Sequence, residues 1–107
     1  MTRYADRVAQ ETQSTGTGPV TLAAAIASYQ AWATAFTDGP VYYGIVDEVT
    51  GEWEIGIGTL QGGTQLTRDT ILSSSFGGAA VSFGIGPKTV YCPEPAVSRP
   101  NDMGEYT

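Results

Sequence analysis

Two adjacent runs, VYYGIVDEV at 41–49 and GEWEIGIGTL at 51–60, constrain the fold more than any other feature of the chain. The first is β-prone and nearly continuous in apolar character. The second alternates, with Trp53, Ile55 and Ile57 separated by Glu54 and Gly56. Successive side chains of a strand point to opposite faces, so the second run reads as a strand with one greasy row. Thr50-Gly51 lies between the runs, and 41–59 reads as a β-hairpin. The alternation predicts Trp53, Ile55 and Ile57 facing inward, with Glu52 and Glu54 facing solvent or a partner. Gly56 and Gly58 then lie on the polar face, where glycine weakens a strand. They imply either a bulge or bend, or the close approach of another backbone.

Turn signals divide the rest of the chain into short β-prone pieces. YADRVAQETQ supplies a first strand, STGTGP a break and VTL a second strand. Residues 23–36 carry the only helical spacing, Ile26, Tyr29, Ala33 and Phe36, in an Ala/Ser/Thr-rich stretch that reads as a short helix or a run of turns. LTRDTILSSS, AAVSFGI and KTVYC supply later strands, with turns at QGGTQ and FGG. About seven short strands at this spacing predict an all-β domain, a compact β-sandwich or small barrel, over residues 1–96. PEPAVSRPNDMGEYT carries three prolines and little apolar material, and residues 97–107 read as an extended C-terminal tail.

Composition narrows the chemistry. The chain has no histidine and one cysteine, Cys92. That removes an internal disulfide, the usual zinc sites, Cys-His pairs and a Ser-His-Asp triad. Ser73-Ser74-Ser75 has no histidine or nearby lysine to activate a nucleophile. Glu52 and Glu54 share a face without the contrasting environments that acid–base pairs need. Asp47, Glu48 and Glu52 flank a turn but lack the Asp/Asn and glycine pattern of an EF-hand. Gly56-x-Gly58 lacks the third glycine of a dinucleotide loop, since Gln61 stands there. No catalytic residue, metal site or cofactor is expected. Cys92 reads as a small core hydrophobe. A net charge of −6 is unfavourable to nucleic acid and to anionic membranes, so the expected partner is another protein. MTRYADRVAQ has no apolar signal-like run, which points to synthesis in a cytoplasm. Tyr42 and Tyr43, with Trp32 and Trp53, read as core aromatics or, in a second reading, as a sugar-binding surface.

One resemblance spans most of residues 5–96. Asp6-Arg7-Val8, the Thr/Gly-rich stretch Ser14 to Gly18, Tyr42-Tyr43, Trp53 to Gly58, Leu66-Thr67-Arg68, Ser74 to Gly78 and Val90 to Pro93 occur in an order that resembles a small structural domain of tailed-bacteriophage virions. The order is specific, though no single motif is. Such domains occur alone or at the N-terminus of fibre-like proteins. The resemblance implies a multi-copy, non-catalytic virion module. Such a module anchors a fibre or spike at the head–tail or tail region, or decorates the capsid. Its partners would be copies of itself and other virion proteins of the portal, tail, fibre or capsid. The sequence ends at Thr107 without a shaft or receptor-binding segment, which favours anchoring or decoration over receptor contact. Gly56 and Gly58 are then candidate interface positions that admit a neighbouring copy, and Tyr42, Tyr43 and Phe76 are further candidates. The alternative function is a carbohydrate-binding module using exposed Tyr and Trp residues. An enzyme is the third reading.

Overall fold

The computed structural model describes residues 7–93. Seven strands form one antiparallel sheet: β1 (Ala9–Thr12), β2 (Val20–Thr21), β3 (Gly39–Val46), β4 (Trp53–Gln61), β5 (Gln65–Leu66), β6 (Thr70–Ser74) and β7 (Lys88–Tyr91). The order is β1-β7-β3-β4-β5-β2, and β6 continues alongside β4 beyond β5. The sheet curls until it nearly closes. The chain leaving β2 runs along the outer edge of β1, where Ala23 N–H donates to Glu11 O at 2.6 Å, Glu11 N–H to Ala24 O at 2.9 Å and Ile26 N–H to Ala9 O at 3.1 Å. Closure of this kind removes the free edge that an isolated strand would offer to another chain.

The same closure shortens the helix. A backbone N–H or C=O used in one ladder is not available to another. Residues 23–26 bond to β1, so helical bonding is left to α1 (Trp32–Ala35), a single turn. Of the expected apolar face only Phe36 is buried, joined by Trp32, whose ring stacks on Phe36 with centroids 5.5 Å apart. Trp32 also donates Nε1–H to Val90 O at 3.2 Å, and its backbone N–H is taken by Gln10 Oε1 at 2.7 Å. The core therefore satisfies its own polar groups while collecting Val8, Val20, Leu22, Val41, Tyr43, Ile45, Leu60, Leu66, Val81, Phe83 and Val90.

The hairpin 41–59 is present, with Tyr43 opposite Gly56 and Val41 opposite Gly58. Its inward face is the reverse of the one the alternation suggests. Glu54, Gly56, Gly58 and Leu60 are buried, whereas Trp53, Ile55 and Ile57 are half-buried on the outer face. A one-residue change of face exchanges every side chain of a strand. Two other strand boundaries differ from expectation. The run 66–75 breaks between β5 and β6, where Thr67 and Asp69 N–H still reach β4 but Arg68 turns into the interior. Residues 79–85 form no strand; they make one bridge, between Phe83 and Gly16, yet Val81 and Phe83 still face the core. Cys92 packs half-buried against the core. The expected tail, residues 97–107, lies outside the described residues.

Candidate functional site

Among the described residues, the most concentrated chemistry lies at the centre of the barrel, on the β4 face that the alternation assigns to solvent or a partner. Glu54 projects inward from β4 and Arg68 from the link between β5 and β6. Their side chains are 0% and 1% exposed. Arg68 Nη2 donates to Glu54 Oε1 at 2.5 Å and Nε to Oε2 at 2.8 Å, a bidentate pair. Tyr43 Oη donates to Oε2 at 2.5 Å, and Val81 N–H to Oε1 at 2.9 Å. Arg68 also donates from Nη1 to Gly16 O at 2.8 Å and Gly18 O at 3.2 Å, and from Nη2 to Val81 O at 2.6 Å. The five N–H groups of a guanidinium are thus all engaged, and its carbon lies 5.3 Å from the centre of the Phe83 ring.

This arrangement explains the two glycines. The Tyr43 ring reaches Glu54 by lying across β4 over Gly56 and Gly58, and the 67–70 backbone passes on the same side. A Cβ at Gly58 would overlap Thr67 O, and one at Gly56 would overlap Thr70 O and the Tyr43 hydroxyl. The close approach comes from within the same chain. Gly56, Gly58 and Tyr43 are therefore interior positions and offer no surface to a neighbouring copy.

Chemically, the cluster acts as a clamp. Both Glu54 oxygens are engaged and sealed from solvent, so the carboxylate has no open route to an outside molecule. Its contacts tie the 16–18 and 81–83 loops to the sheet. Burial pushes the Glu54 carboxyl upward, but donation by Arg68, Tyr43 and Val81 outweighs it, and the group sits below its ordinary value of about 4.5. For Arg68, burial pushes downward and the Glu54 carboxylate reverses it, leaving the guanidinium above its usual value. Tyr43 is raised by burial first and then by the adjacent Glu54 charge.

These directions fix the pH dependence of stability. Glu54 titrates lower in the folded chain than in the unfolded one, so its contribution is complete above about pH 4.5 and is lost as pH falls through the folded value. Tyr43 titrates higher when folded, so its contribution is complete below pH 10.0 and is lost as pH rises beyond it. Urea unfolding followed from about pH 7 down to about pH 3 should show a steeper acid decline in the wild type than in Glu54→Gln. Equal slopes would show that Glu54 does not carry this linkage.

The remaining expected positions lie elsewhere. Tyr42 is half-buried on the outer sheet face opposite Ile57, together with Trp53, Ile55, Val46 and Tyr91. Phe76 is 68% exposed on the turn after β6, beside an open groove of about 450 Å³ that Glu52, Ser75 and Ala80 also line. Two hydroxyls of the serine run, those of Ser74 and Ser75, serve the fold. Ser74 Oγ accepts Phe76 N–H at 3.2 Å and Gly78 N–H at 3.1 Å, and Ser75 Oγ accepts Trp53 N–H at 3.0 Å. Asp47 Oδ1 accepts the Val49 and Thr50 N–H groups, which closes the β3–β4 turn. Among the described residues, no group of three or more Asp, Glu, Cys or His side chains converges to hold a metal. Sequence reasoning missed Glu54 and Arg68. The available signal was Gly56 and Gly58 on the Glu54 face, facing a large Tyr43 across the hairpin.

Comparison with protein-family models, with curated proteins and with solved structures gives no match.

Proposed function

We propose that this chain is a structural protein of a tailed-bacteriophage virion, present in several copies. It would anchor a fibre or spike at the head–tail or tail region, or decorate the capsid, without catalysis. The ordered resemblance across residues 5–96 carries the reading. The architecture is compatible with it. The barrel closes its β1 edge with its own chain and uses its central ion pair to lock loops. Such a scaffold holds surface loops rigidly for contact with other proteins. In this reading the contacts fall on loops and outer faces rather than on Gly56 and Gly58. The carbohydrate-binding alternative has less support, because Trp32 and Tyr43 are sealed in the core.

The test is the composition of particles of the phage that encodes the chain. Quantitative mass spectrometry should find the protein in gradient-purified virions at a fixed stoichiometry of several copies per particle. Antibody labelling should place it at one structural position. Absence from particles, combined with tight glycan binding by the purified protein, would reject the virion reading in favour of the alternative.

A further inference from the structure

Three strongly exposed apolar side chains lie at one end of the barrel. β3 ends there, β4 and β7 begin there, and β6 ends there. Val49 is 91% exposed on the β3–β4 turn, Phe76 68% exposed on the turn after β6, and Ile85 94% exposed on the loop before β7. The β3–β4 turn connects the other two. Its Thr50 and Gly51 line a groove with Phe76 on one side, and its Val49 lines a second groove with Pro87 on the other.

Each tip is held by side-chain bonds within its own loop. Asp47 Oδ1 accepts Val49 N–H at 3.0 Å and Thr50 N–H at 3.3 Å. Ser74 Oγ accepts Phe76 N–H and Gly78 N–H, and donates to Ala79 O at 2.6 Å. The Lys88 ammonium donates to Gly84 O and Gly86 O, both at 2.6 Å, and so grips the carbonyls on either side of Ile85. Loops fixed in this way lose little conformational freedom on binding, and their apolar side chains act as ready anchors.

Charge selects the occupant. Glu48, exposed, and Glu52, half-buried, flank Val49 on the same turn. Among the described residues, Arg68 is in the core, and Arg7 donates to Ser28 O and covers the Tyr29 ring. Lys88 does lie at this end, but it is 2% exposed and its ammonium is taken up by Gly84 O and Gly86 O. The rim is therefore acidic. Two such ends repel each other, and an anionic bilayer repels either.

We infer that the end carrying Val49, Phe76 and Ile85 is a docking surface for a protein partner that presents apolar side chains bordered by lysine or arginine. The inference goes beyond the virion reading and is tested apart from it. The probe is a displayed random-peptide library selected on the folded full chain. Enriched peptides should combine aliphatic or aromatic residues with Lys or Arg, and should bind more weakly as salt rises. The combined variant Val49→Ser, Phe76→Ser, Ile85→Ser should weaken those peptides roughly tenfold or more, as loss of anchor residues does. Its unfolding midpoint should stay near that of the wild type, because all three side chains are exposed. Glu48→Lys should reduce the preference for basic peptides. Several outcomes would overturn the inference: no enrichment, peptides without basic residues, or binding that survives the triple variant. So would variant-sensitive binding to phosphatidylserine vesicles, which assigns the surface to a membrane, or a variant-sensitive dimer, which assigns it to a second copy.

Discussion

Replacing Arg68 with methionine is expected to destabilise the domain by about 3–5 kcal/mol, the range found when one partner of a buried ion pair is removed. The change leaves the Glu54 carboxylate at 0% exposure with only Tyr43 Oη and Val81 N–H as donors. It also takes the Arg68 donors from Gly16 O, Gly18 O and Val81 O, so the 16–18 loop loses its bonds to the clamp and the 81–83 loop keeps only the Val81 N–H bond to Glu54. Against a usual total stability of about 5–15 kcal/mol, such a loss brings the chain near unfolding at ordinary temperature. The double variant Glu54→Leu, Arg68→Met removes both charges. It should recover part of the loss, because a buried pair exchanged for apolar groups is often near neutral. Recovery should be incomplete, since Gly18 O, Val81 O, Val81 N–H and the Tyr43 hydroxyl lose the bonds they make to the pair. Urea unfolding of wild type, both single variants and the double variant measures the coupling directly. A single-variant loss of less than about 1 kcal/mol would show that the pair behaves like an exposed one.

The position of this pair explains what could and could not be read from the chain. The hairpin was legible because Thr50-Gly51 separates two β-prone runs and a two-residue period identifies a strand by itself. β1, β2 and β7 were legible for the same local reasons, and with them the all-β class. The inward face of β4 was not. Alternation shows that two faces differ but leaves open which of them meets the core, and that depends on what lies across the sheet. The rule that carboxylates face water placed Glu54 outside. It failed because Arg68, 14 positions later in sequence, supplies a buried countercharge that no local window contains. Residues 23–36 read as a short helix or a run of turns, and turns with a single helical turn prevail for a related reason. Residues 23–26 have helical spacing, but the open edge of β1 claims their backbone groups. Likewise Phe76 is among the surface candidates that the sequence offers, while Val49 and Ile85 are not. An isolated Val or Ile beside a turn looks the same whether it folds inward or points out.

Gly58→Ala is expected to destabilise the fold by about 1–3 kcal/mol or more, the cost of forcing a methyl group into a filled space. The upper part of that range applies because the obstacle is backbone. The new Cβ would overlap Thr67 O and would also press on Tyr43 Cδ2 at 3.3 Å. Thr67 has little room to retreat. Its N–H donates to Thr59 O at 3.0 Å, and its Oγ1 accepts Thr59 N–H at 2.9 Å, so both bonds hold it to the residue beside Gly58. Movement of the 67–70 segment would also displace Arg68 from Glu54, which couples this substitution to the clamp. Gly58→Val adds two further methyl groups and should prevent cooperative folding. Gly18→Ala provides the control, because a Cβ there meets nothing within 4 Å. Its effect should be close to zero or slightly stabilising, since alanine restricts the unfolded chain. Thermal and urea unfolding of the three variants separates the two origins of a strand glycine. If Gly58→Ala unfolds with the wild type's midpoint but no longer associates with other chains, the glycine serves a partner. If it unfolds early as a monomer, the glycine admits Thr67 and Tyr43 of its own chain.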